Sequence, residues 1–223
     1  MKKTKVISGL FWKFAERIGA QGVNLIVSII LARILSPSDY GIIALTSIFI
    51  TISNVFVERG FQTALIQKKD ADNLDFSSAF YCNIIISIVM YSIIFITAPI
   101  IATFYNNTGL VSVLRVLGIG VLISGVKSIQ QAYVAKNMMF KKFFVSTIIG
   151  TIISAIVGIW MAYNGYGVWA LVAQQLTSLT IDTIILWITV KWRPLLKFSM
   201  QRLKGLFEFG WRMLCSRYHR FDL

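Results

Sequence analysis

Eight ionisable side chains stand inside, or at the edges of, long apolar runs: Glu16, Arg17, Arg33, Glu58, Arg59, Arg115, Lys127 and Asp182. Cations outnumber anions among them, and a wet cavity lined by Arg and Lys suits an anionic group such as a phosphate or diphosphate. Each residue also has a plainer reading. Arg17, Arg33 and Arg115 lie near the ends of apolar runs, where a long cationic side chain snorkels to the headgroups at little cost. Glu58 and Arg59 close a run and mark a boundary as readily as a site. Lys127 is different, because it sits well inside its run with Ser124, Gln130 and Gln131 on neighbouring turns, a polar stripe on an apolar helix. Asp182, flanked by Gln174, Gln175, Thr177, Ser178 and Thr183, could balance one of the cations. A cavity role and a buried helix–helix pair both stay open for Lys127 and Asp182.

Catalysis and metal binding find no such residues. The one histidine, His219, lies near the end of the chain, and no Gly-rich phosphate loop, metal spacing or nucleophile–base motif is present. The sequence therefore gives no catalytic residue, no metal ligand and no cofactor, and it does not read as an enzyme. Cys82 and Cys215 are too far apart in the chain to suggest a disulfide framework.

The elements that must position these residues follow from composition. The 223 residues are 57% hydrophobic and 14% charged, with mean hydropathy +0.73, against about 45–50% apolar and about 25% charged in a soluble domain. The chain reads as an all-α integral membrane protein. Its net charge of +13 is not a nucleic-acid signal, because the cations fall in short clusters between apolar runs, which is how topology is written. The early residues Lys13, Glu16 and Arg17 interrupt what would be a signal-peptide core, so the first helix is expected to be retained.

Six membrane helices are expected at about 8–35, 40–57, 77–102, 110–135, 143–163 and 168–190. Together they form one transmembrane lobe over residues 1–190. Between the first two, Ser36-Pro37-Ser38-Asp39 has a capping-box spacing with proline in the first turn. Pro99 is expected to kink or stop the third helix. Residues 191–223 are expected to be a basic segment, then over Met200–Phe209 either a short amphipathic helix lying on the inner surface or a solvated connector. The opening of a seventh helix at Phe209-Gly210-Trp211 follows, so the chain is expected to be the first lobe of a longer design with a truncated seventh span. Lys2, Lys3, Lys5, Lys68, Lys69, Lys136, Lys141, Lys142 and the cations after 190 all fall on one side, so both termini are expected to be cytoplasmic.

Four blocks carry a family resemblance: Leu31-Ala32-Arg33-Ile34-Leu35-Ser36-Pro37-Ser38-Asp39-Tyr40-Gly41; Arg59-Gly60-Phe61-Gln62-Thr63-Ala64-Leu65-Ile66-Gln67-Lys68 with Phe76-Ser77-Ser78-Ala79-Phe80; Gly165-Tyr166-Gly167-Val168-Trp169-Ala170-Leu171-Val172-Ala173-Gln174-Gln175; and Trp192-Arg193-Pro194. In this order they resemble the N-terminal half of the Wzx-type lipid-linked oligosaccharide flippases, the polysaccharide exporter branch of the multidrug/oligosaccharidyl-lipid/polysaccharide exporter superfamily. The resemblance implies one six-helix lobe of a two-lobe fold and a place in the bacterial inner membrane as a multi-pass protein. It also implies the task of flipping undecaprenyl-diphosphate-linked sugar units by alternating access, as in O-antigen, lipopolysaccharide and exopolysaccharide biosynthesis. Membrane lipids and the polysaccharide polymerase and export machinery are the further partners it suggests, with no nucleic acid. The cavity candidates are Lys127, Arg33, Arg59, Arg17, Arg115, Gln130 and Asp182. An assembly subunit of a polysaccharide machine, and a small transporter acting as a homodimer, are the competing readings.

Overall fold

The computed structural model describes residues 2–206, and the side chains among them except those of 2–8, 10, 59 and 60. It is all-helical, with α1 (Lys2–Ile34), α2 (Pro37–Gln67), α3 (Asn73–Phe104), α4 (Gly109–Lys136), α5 (Phe140–Tyr163) and α6 (Val168–Thr189). All six contain a stretch long and apolar enough to cross a membrane. Exposed isoleucines such as Ile85, Ile88, Ile96 and Ile100 run along the outside of α3, while Thr46, Ser53, Ser87, Ser128 and Thr151 are buried inside the lobe. Those hydroxyls bond to carbonyls in their own helices, as Thr46 does to Ile42 (2.8 Å) and Thr151 to Thr147 (2.7 Å).

Two three-helix groups make up the lobe. α4 packs against α2 and α3, and α5 packs against α1 and α6, with α4 and α6 joining the groups. α1 and α2, although separated by only Leu35 and Ser36, scarcely touch along their lengths. The hairpin splays, leaving a cleft between its arms with α5 and α6 behind it. Ser36 and Asp39 set its geometry. The Asp39 amide donates to Ser36 Oγ (3.3 Å), the Ser36 amide and hydroxyl both donate to Asp39 Oδ2 (3.0 and 2.7 Å), and Pro37 fills the first helical position.

Several boundaries differ from the sequence expectation. α2 does not end at Glu58-Arg59-Gly60 but continues to Gln67. Glycine inside a helix costs about 1 kcal/mol, and burial of Phe61, Ala64 and Leu65 at helical spacing in the core outweighs it. Pro99 is accommodated within α3, which runs on to Phe104. α3 also starts earlier, on a second capping box between Asp72 and Asp75.

At the end where the longer connections lie, Phe76, Phe80, Tyr133, Trp187 and Trp192 form an aromatic cluster. Helix carbonyls there are closed by cations. Lys136 Nζ donates to the Lys68 carbonyl (2.6 Å), Lys142 Nζ to the Thr189 carbonyl (2.6 Å), and Arg193 to the carbonyls of Trp187, Val190 and Trp192. Beyond α6 the chain docks back on the lobe, its Leu195 and Ser199 amides donating to the hydroxyls of Ser77 and Ser78. The expected amphipathic helix is present as far as it is described, over 200–206. Its Leu206 is fully buried and Leu203 packs on the same core, so this apolar edge turns into the lobe. Arg202 pairs with Asp72 (3.3 Å) and approaches the buried Asp75, which Lys68 also holds at 2.6 Å. The Asp75 amide, followed by the charges of Arg202 and Lys68, holds the Asp72 carboxyl below its usual range against the opposing effect of partial burial. Phe207, Phe209 and the start of the expected seventh helix lie outside the described residues.

Candidate functional site

Lys127 of α4 and Asp182 of α6 meet, with Lys127 Nζ 2.5 Å from Asp182 Oδ2 and both side chains almost entirely buried. Lys127 is nine residues from the end of α4 and Asp182 seven from the end of α6, so the pair sits roughly 10–13 Å inside the helices. α5 closes over it at Gly150, where a Cβ would lie 3.0 Å from the Ser178 carbonyl and 3.4 Å from Asp182 Cβ. The lysine charge is thus taken up inside the protein, and the pair ties the two helix groups together.

The remaining candidates do not gather around it. Gln130 is fully buried and donates to the Trp192 carbonyl (3.1 Å), which fixes the chain leaving α6. Arg115 lies over the Phe95 ring of α3, 4.1 Å from its centroid. Arg17 and Arg33 are exposed on α1. Arg59 lies within α2, with its side chain outside the described residues. Among the described residues, Lys127 and Asp182 are the two candidates that the fold brings into contact.

A cavity of about 440 Å³ opens instead at the splayed hairpin. Asn24 and Ser28 of α1, Tyr40 and Ile43 of α2, Ser154 of α5, and Leu171, Gln174, Gln175, Ser178 and Leu179 of α6 form its walls. Its volume falls within the range of about 300–1,000 Å³ typical of small-molecule sites. Seven of its ten residues are polar, and none carries a charge at neutral pH. The Tyr40 hydroxyl is buried and has no hydrogen-bond partner among the described residues, while Gln174 lies against α5 at Gly158. Ser178 and Leu179 are the last α6 residues of the cavity, about one helical turn before Asp182, and neither Lys127 nor Asp182 lines it.

The sequence contained this signal in muted form. Asn24 and Ser28, and Gln174 and Ser178, are four apart and therefore share faces. Gln174, Gln175 and Ser178 stand out in the sequence only as neighbours of Asp182, since an uncharged amide costs little in a membrane helix and has a ready packing explanation.

The arrangement is that of a polytopic membrane protein with a polar, uncharged cavity at the splayed hairpin and a buried Lys127–Asp182 pair beyond it. Family comparison is more specific: the family described as "Polysaccharide biosynthesis protein" matches residues 30–221, and the chain belongs to it. The succinoglycan biosynthesis transport protein ExoT of Rhizobium meliloti (strain 1021) is 25% identical over 210 residues, 94% of this chain and 42% of the relative. The teichuronic acid biosynthesis protein TuaB of Bacillus subtilis (strain 168) is 23% identical over 215 residues, 96% of this chain and 44% of the relative. The lipopolysaccharide biosynthesis protein WzxC of Escherichia coli (strain K12) is 22% identical over 140 residues, 63% of this chain and 28% of the relative. The chain thus spans less than half the length of these relatives. No solved structure matches it. The resemblance carried by the four sequence blocks holds at the level of the family, and the protein is a multi-pass bacterial membrane protein.

Proposed function

We propose that the chain forms one six-helix half of a transporter that flips undecaprenyl-diphosphate-linked sugar units across the membrane. The observation that carries this reading is the uncharged polar cavity at the splayed α1–α2 hairpin, within a lobe whose outside is apolar. Family membership and the transport role in the name of one relative support it. The work is movement, not bond-making: the protein exchanges the water around a polar headgroup for its own amides and hydroxyls. In a protein of the relatives' length, a second part of similar size would face the open side of the cleft, and rocking of the two parts would expose it to each side in turn. Arg17 and Arg33, exposed along α1, are the proposed diphosphate contacts. Lys127 is not, because Asp182 neutralises it.

Deleting the gene in its own host tests this reading. The expected result is loss of one extracellular polysaccharide with a rise in undecaprenyl-diphosphate-linked units extracted from the membrane, both reversed by re-expression. Unchanged polymer with no rise in those lipids would overturn it.

A further inference from the structure

We infer that the cavity between α1, α2, α5 and α6 is a subsite for the sugar rings of the transported unit, and that the diphosphate is held outside it. The inference rests on the transport reading and assigns a ligand class to that cavity. Charge decides first. With no cation in its walls, and with the nearest buried lysine already paired to Asp182, the cavity offers no positive charge to offset a phosphate removed from water, and an unpaired buried anion is heavily penalised.

Hydrogen-bonding capacity decides next. The side-chain amides of Asn24, Gln174 and Gln175 make no hydrogen bond to other described residues, so each presents a donor and an acceptor to the space. Neighbouring hydroxyls on a pyranose ring need that pairing, because each both gives and accepts a hydrogen bond. The buried, unpartnered Tyr40 hydroxyl adds a further group requiring a partner. Leu171 and Leu179 provide apolar surface for the C–H face of the ring. Entry requires no rearrangement, since α1 and α2 do not close on each other.

The test uses the 223-residue chain in nanodiscs and two probes, undecaprenyl diphosphate and undecaprenyl diphosphate bearing one N-acetylglucosamine. Binding is read by thermophoresis. The sugar-bearing lipid should bind at least about tenfold more tightly, the gain expected from one or two hydrogen bonds to a neutral ligand. The double variant Asn24→Ala/Gln175→Ala, made at two exposed positions, should bring the ratio of the two affinities to near one. Equal affinity of the unaltered chain for both lipids would overturn the subsite while leaving the transport reading intact. An unchanged ratio in the double variant would do the same. Failure of both lipids to bind would overturn the subsite, and the transport reading is then judged by the gene deletion.

Discussion

Lys127 and Asp182 illustrate what a single charged residue in a membrane helix reveals. Its position within an apolar run was legible in the sequence, as was the availability of an opposite charge in α6. Their contact was not legible, because it depends on how α4 and α6 are rotated and slid against each other. The structure makes that rotation visible through Gly150, which lets α5 press against the α6 backbone beside Asp182. Removing one member of such a pair strands the other charge, at a cost of about 3–5 kcal/mol, whereas replacing both with apolar groups is often close to neutral. Lys127→Met and Asp182→Asn should therefore each lower the thermal unfolding midpoint of the purified protein markedly. The double variant Lys127→Met/Asp182→Leu should recover most of the loss. A double variant as damaged as the sum of the singles would show that the two charges do not act as a pair.

At the scale of elements, hydropathy revealed the six helices in order but placed several of their ends poorly. An apolar run reports the stretch that must sit in hydrocarbon, whereas α2 and α3 extend past it on core contacts and capping groups outside the run. The fit between helices was also hidden, since one glycine in a sequence looks like another. Gly125 and Gly22 show the difference. A Cβ at Gly125 would lie 2.5 Å from Ser87 Oγ and 2.7 Å from Ser87 Cβ, where Asn83 also crosses to the Gly125 carbonyl (3.0 Å) and to Ser128 Oγ (2.6 Å). At Gly22 it would meet nothing within 4 Å. Gly125→Ala should thus wedge α3 from α4 and cost about 1–3 kcal/mol. Gly22→Ala should leave stability unchanged or slightly raised, because alanine is the better helix former. Thermal unfolding of the two variants side by side checks the pair, and equal midpoints would remove the claim that α3 and α4 meet through Gly125.

For the whole molecule, the same cations both cap helices and bear on orientation. Lys136, Lys142 and Arg193 close the exposed carbonyls of α2, α6 and the segment after it, and they lie with Lys68, Lys69 and Lys141 at the end of the lobe where the longer connections run. The tight turns at the other end carry no lysine. Cations close to a span are retained on the cytoplasmic side, so the basic end should be cytoplasmic and the three turns should face outward. Moving a lysine from the basic end would disturb caps as well as topology, which makes labelling a cleaner test than charge reversal. With Cys82 and Cys215 replaced by alanine, single cysteines at Thr108 and Asn164 should react in intact cells with a membrane-impermeant maleimide. Cysteines at Lys69 and Asn137, exposed at the opposite end, should react only after permeabilisation. The reverse pattern would invert the lobe and turn the hairpin cavity toward the cytoplasm. A mixed pattern within one set of turns would contradict the six-span arrangement, because an even number of crossings requires all three turns to share a side.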